Sequence, residues 1–376
     1  MKKIALLVFS TVLVAIASCT KENASEVTFA GIEVEVGEQN GSFSKLYVLN
    51  EGTFPGASTL DLLDFKNKKY CTDIFAQANP EVVQGLGNTG NDMAVVDGRL
   101  WVLMNASNQV AVLHLPDAKL ERFLQVDSPR FITVEGSYVY ITSYGAAVNG
   151  SFFDVPGKVY RIHKDSYEMS TVEVGYQPEG LAVLNGKLFV ANSGGYNAVP
   201  DNRISVIDLG NFKLEKHIEA PIKNLCQMAT TNDRIWVSSY GEWSDDWSHL
   251  VAPHSLLSMT PSGQFTTREG VHSDKMTLSG KTIWCFGNDE EMSNGCDICL
   301  YKVDTATGAV QKTRFAESDL SRVGYAYGIL VNPENGDLYI CDANFTGGSK
   351  LHCFDAKLKH KWTVDTGIGT GHLLLQ

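Results

Sequence analysis

Basic charge is in short supply in this sequence. It has 31 Lys and Arg against 43 Asp and Glu, a net charge of −12, and losing Lys2 and Lys3 with the leader described below takes the balance to about −14. A body of that sign repels phosphate backbones and anionic lipid, which excludes nucleic acid and membrane surfaces as partners of the folded part. Beyond residue 17 no apolar run reaches the length of a membrane-spanning helix. Paired metal-ligand motifs are lacking too. Of eight cysteines only Cys296 and Cys299 form a C-x-x-C, with no second pair and no His at ligand spacing. Apart from Cys19, seven thiols remain, so at least one is unpaired within the chain; they read as small buried or disulfide-capable residues. Catalytic signatures are missing as well: His249, His254, His272 and His372 lie outside any H-E-x-x-H or nucleophile context. Asp245-Asp246 and Asp289-Glu290-Glu291 lack the alternating oxygens of a calcium loop and read as solvated charge. No metal, cofactor or enzymatic activity is expected.

Residues 1–18 form a leader. Lys2 and Lys3 precede an apolar stretch at 4–17 that is too short to span a bilayer stably. Ile16-Ala17-Ser18-Cys19 resembles the lipobox of bacterial lipoproteins, with Ile where Leu is usual, and implies lipidation of Cys19. Thr20-Lys21-Glu22-Asn23 is loosely similar to the Lys-plus-acid signal that sends lipoproteins to the surface of Bacteroidetes. The resemblance implies a lipid-anchored outer-membrane protein exposed at the cell surface, with residues 19–43 as a tether or a short extra strand.

From residue 44 to 376 the chain repeats itself. Seven times a turn leads into a short strand with an aromatic near its start: Tyr47, Trp101, Tyr140, Phe189, Trp236, Trp284 and Tyr339, spaced 39 to 55 residues apart. Short β-type runs with Gly- or Asn-rich turns between them, at such a period, predict an all-β, seven-bladed β-propeller. Blade one offers strands at 46–50, 59–65 and 69–75 but no innermost strand. Gly371-His372-Leu373-Leu374-Leu375 is an innermost strand without a blade, so pairing of this C-terminal strand with the first blade closes the ring.

Leu46-Tyr47-Val48-Leu49-Asn50, Leu188-Phe189-Val190-Ala191-Asn192 and Arg203-Ile204-Ser205-Val206-Ile207-Asp208 resemble the YVTN-type repeat of YncE-like propellers. In such rings the loops between second and third strands and the blade-to-blade connections share one face, and here those loops are long and rich in aromatics, including Phe54, Phe152, Phe153, Tyr196, Trp243, Trp247 and Phe345. Long loops on a rigid scaffold are where binding residues concentrate, and grouped exposed aromatics mark a contact surface. Aligning the innermost strands places Asp92, Arg130, Glu179, Gln227, Asp274 or Lys275, Tyr327 and His372 around the channel mouth. Their mixed charge suits a ligand with both donors and acceptors better than a metal. A self-satisfied polar network is the alternative.

The lipobox, the ring beginning near Lys45 and the closing Gly369-Thr370-Gly371-His372-Leu373 together resemble the surface cobalamin-binding lipoproteins of Bacteroidetes, the BtuG family. That implies capture of cobalamin or a related corrinoid, as cargo rather than cofactor, and transfer to a TonB-dependent outer-membrane transporter. The ligand-binding candidates are Arg130, Tyr144, Glu179, Tyr196, Gln227, Trp243, Trp247, Lys275, Tyr327, Asn344, Phe345 and His372. Two other readings stay open: a glycan-binding or protein-docking propeller of a nutrient-uptake system, and a propeller enzyme such as a lactonase or quinoprotein-like dehydrogenase.

Overall fold

A computed structural model describes residues 27–36, 41–53, 56–231, 233–244, 246, 249–288 and 298–376. The leader, Cys19, Phe54, Trp247, Cys296 and the acidic run at 289–291 lie outside the described residues. Seven sheets radiate from a central channel. Blade 1 has β31 (Thr370–Leu375) innermost, followed outward by β2 (Lys45–Asn50), β3 (Thr59–Asp64), β4 (Lys69–Cys71) and a two-residue edge strand, β1 (Ile32–Glu33). Blades 2 to 7 begin with innermost strands β5 (Gly90–Val96), β9 (Pro129–Glu135), β13 (Pro178–Leu184), β17 (Leu225–Thr230), β23 (Lys275–Ser279) and β27 (Ala326–Val331). The fold is the seven-bladed propeller expected, and β31 closes on β2 in register from Leu46–Leu375 to Leu49–His372, with a bulge before Asn50–Thr370.

Each marker aromatic has one job. Tyr47 sits with Leu100 and Val102 of blade 2, Trp101 with Val139 and Ile141 of blade 3, Tyr140 with Leu188 and Val190 of blade 4. Phe189, Trp236, Trp284 and Tyr339 continue the pattern around the ring, the last meeting Leu46 and Val48 of blade 1. Because side chains alternate across a strand, one set of positions faces the next blade and the other the previous one. The core is therefore seven inter-blade seams rather than one centre.

Several local expectations change. In blade 1 β4 stops at Cys71 and is followed by a helical turn, α1 (Ile74–Ala78), because Asp73 adopts φ 42° and its carboxylate accepts from Ala76 N. Residues 32–33 are a strand after all, and the stretch around them straps the closure seam: Val36 packs in the cluster of Trp362, and Glu334 accepts from Ser42 N at 2.7 Å. The six described thiols, Cys71, Cys226, Cys285, Cys299, Cys341 and Cys353, are all buried, and Cys299 packs in the seam between blades 5 and 6.

Candidate functional site

Six of the seven innermost strands carry a bulge at the end where the chain enters from the previous blade. Register shifts fall between Gly90 and Asp92, Ser143 and Ile141, Pro178 and Leu181, Leu225 and Met228, Ala326 and Gly328, and Asn50 and Leu49. An extra residue bends the strand and re-aims its side chain. The bulge residues include Asn91, Arg130, Glu179, Gln227 and Tyr327, and all of them line the channel.

The channel has two storeys. The upper, about 420 Å³, opens among the long loops, with Tyr144, Tyr196, Trp243, Phe286 and Tyr325 in its wall. The lower, about 390 Å³, is more polar and holds Glu51, Asn91, Asp92, Gln227 and His372. Arg130, Tyr196, Tyr240, Lys275 and Tyr327 belong to both and form the waist.

At the waist charges are paired by geometry. Arg130 Nε and Nη2 donate to Glu179 Oε2 and Oε1 at 3.0 and 3.1 Å, Nη1 donates to Asn91 Oδ1, and the guanidinium lies 4.8 Å over the Tyr144 ring. Tyr144 also donates its hydroxyl to Glu179. Burial pushes the Arg130 pKa down, but the Glu179 charge outweighs it, so the guanidinium stays protonated. Lys275 Nζ sits between the Tyr240 and Tyr327 rings, 5.0 and 4.9 Å from their centroids, with Asp274 at 3.9 Å. Burial opposes its charge, while Asp274 and other acids overcome that and hold its pKa above the usual lysine value. On the blade 1 side of the channel, Glu51 meets His372 at 3.3 Å. Burial raises the Glu51 carboxyl, yet the His372 contact and the Tyr327 hydroxyl lower it more, to a net value under the ordinary range. Burial lifts Asp92 to about 6 despite two backbone donors, Ile132 N and Met93 N.

Of the residues proposed from sequence, Arg130, Tyr144, Glu179, Tyr196, Trp243, Lys275 and Tyr327 line the upper storey. Gln227 and His372 line the lower, although Gln227 Oε1 is already taken by Met276 N at 2.5 Å. Phe345 stacks edge-on against Tyr327 at 5.3 Å. Asn344 turns its side-chain oxygen to Thr346 N and Oγ1 within its own loop, and neither storey's lining includes it. Trp247 lies outside the described residues.

Glu51, Asn91, Tyr240 and Tyr325 were missed. A signal for Tyr240 was present. Ser143-Tyr144-Gly145 and Ser239-Tyr240-Gly241 both follow the second strand of their blades. In each, the Ser hydroxyl donates to the connection before the blade and accepts from the Gly N–H, at 2.9 and 3.0 Å. The Gly takes φ 80° or 72°, a conformation that costs a side-chain-bearing residue energy, and the Tyr between lines the channel. Asn50-Glu51-Gly52, with φ 80° at Gly52, brings Glu51 in at the corresponding place.

No family model matches the sequence, and no curated protein matches it. Solved structures of similar fold include hydrazine synthase of Kuenenia stuttgartiensis, 15% identical with a TM-score of 0.56 over 73% of this chain and 85% of that one. AztD of Citrobacter koseri is 12% identical, TM-score 0.51, covering 88% and 97%. A candidate 6-phosphogluconolactonase of Bacteroides fragilis is 10% identical, TM-score 0.55, covering 90% and 99%. At such identities the likeness is one of fold, and roles as different as these three share it.

Proposed function

We propose that this protein is a small-molecule binding propeller whose ligand enters the upper storey from the long-loop face, and that the ligand is cobalamin or a related corrinoid. One observation carries the reading. An open cavity of about 420 Å³ has aromatic walls above and a waist whose cations are already paired. Such a wall offers broad contact at small entropy cost, and scattered polar groups fix orientation. A flat, amide-fringed macrocycle resting on the mouth uses both.

In this reading Tyr196, Trp243, Tyr325 and Phe345 supply contact area, while Arg130 and Lys275 donate hydrogen bonds their carboxylate partners leave over. Cys19 anchors the protein by lipid to the outer membrane, facing the surface, and the ligand passes to a TonB-dependent transporter. Binding, not turnover, is the task.

Calorimetric titration of cyanocobalamin tests it, with Tyr196→Ala and Trp243→Ala in parallel. One-to-one binding that weakens roughly ten-fold or more in each variant is expected for rigid aromatic anchors. Absence of heat at micromolar protein removes the corrinoid from the proposal.

A further inference from the structure

Beside the channel mouth, on the same face, lies a second cavity of about 540 Å³ between blades 2 and 3. It touches the lower storey through Thr89 and Asn105, which line both. Its other wall is Phe152, which packs on Tyr144 at 5.5 Å and stacks on Tyr196 at 6.5 Å, so one ring divides this pocket from the main one.

The chemistry of the lining differs from that of the channel. Ala106, Ala146 and Ala147 leave room, and among the described residues no cation lines the pocket. Asp127 Oδ2 accepts from Tyr160 at 3.1 Å, and Asn105 Nδ2 donates to Pro129 O at 3.1 Å, so each keeps an oxygen open. Asn108 Oδ1 accepts from Ser128 N and Oγ at 2.8 and 3.2 Å, leaving the two Nδ2 donors. A carboxylate without a cation repels anions. Planar side chains offering acceptors and donors next to an aromatic face match a ring whose every hydroxyl both donates and accepts.

We infer that this side pocket binds a hydroxyl-rich ring, either a free saccharide or the sugar of a nucleoside. It rests on the loop face being a binding face, not on the corrinoid.

Saturation-transfer NMR on the full chain tests this with methyl α-D-glucopyranoside and, separately, methyl β-D-ribofuranoside, with cyclohexanol as a ring lacking the hydroxyl fringe. At least one sugar is expected to receive saturation roughly five-fold above cyclohexanol, a contrast of about 1 kcal/mol in binding. Ala106→Phe and Ala147→Phe, at exposed loop positions, fill the pocket and abolish the signal at unchanged melting temperature. Response to the glucoside alone identifies a saccharide, and to the ribofuranoside alone the ribose of a nucleoside. Sugars no better than cyclohexanol, or a signal surviving both filled variants, overturn the inference. If cyanocobalamin fails to bind while the sugar signal behaves as expected, only the corrinoid reading falls; the reverse pattern removes only the side pocket.

Discussion

Asp92 shows how a channel position acquires a property that composition cannot express. Burial lifts its carboxyl to about 6, above the roughly 3.9 of an unfolded chain. Between those values the folded protein holds a proton the unfolded chain has released, so this contribution is full below pH 4 and disappears as pH rises through 6. Asp92→Asn is therefore expected to flatten the loss of stability from pH 4 to 6.5 by on the order of 2 kcal/mol, read from urea midpoints at several pH values. An unchanged slope would show that Asp92 titrates normally. At this scale the sequence was informative about which residues reach the channel and poor about what occupies them. Aligning innermost strands brings Arg130, Glu179 and His372 to the channel because strand period and turns are local. That Gln227 spends its oxygen on Met276 N, and Asn344 its own on Thr346, depends on contacts across a seam or within an irregular loop.

Elements are held to each other by the asparagine that ends a second strand. Asn50, fully buried, donates to Asp61 Oδ2 at 2.8 Å and Thr59 Oγ1 at 2.9 Å and accepts from Thr370. Asp61 in turn accepts from Tyr70 and from Asp73 N, each at 2.8 Å. Asn192 does the same work in blade 4, accepting from Gly175 N at 3.0 Å and donating to Ser205 at 3.0 Å. Removing one member leaves buried partners unsatisfied, so Asn50→Ala is expected to cost about 2–4 kcal/mol in chemical denaturation. Asn105→Ala, whose amide makes a single bond to Pro129 O, is expected to cost about 1 kcal/mol; equal costs would deny the network its role. The blades were readable because alternation and turn residues repeat. Two short elements were not: α1, set by the left-handed Asp73, and the ribbon of β19 (Glu242–Trp243) and β20 (Leu250–Ala252) inside a long loop; β1, left open between tether and strand, forms where β4 offers an edge.

Over the whole molecule apolar exposure is lopsided. Among the described residues, Tyr196 at 61%, Tyr325 at 51% and Phe345 at 39% share the long-loop face with exposed Val148, Phe153 and Val199. The opposite face is turned out in tight hairpins such as Asp97-Gly98 and Asn185-Gly186, with φ positive at all four residues. One surface exposes aromatic rings and the other is turned out in tight hairpins. Deleting residues 369–376 is expected to open the ring at blade 1 and to take His372 out of the channel. The measurement is size-exclusion profile and melting temperature, with loss of the monomer peak expected because β2 is left as an unpaired inner edge.

The pairing of β2 with β31 also sets the timing of synthesis. Asn50 waits for a partner 320 residues downstream, so blades 2 to 6 can form their hairpins as they emerge while the first blade stays unfinished until the end. A chain broken off anywhere before residue 370 advertises the fact as a bare strand edge. Proteases and holding chaperones can thus discard incomplete copies by an open backbone, with no need to recognise any particular sequence.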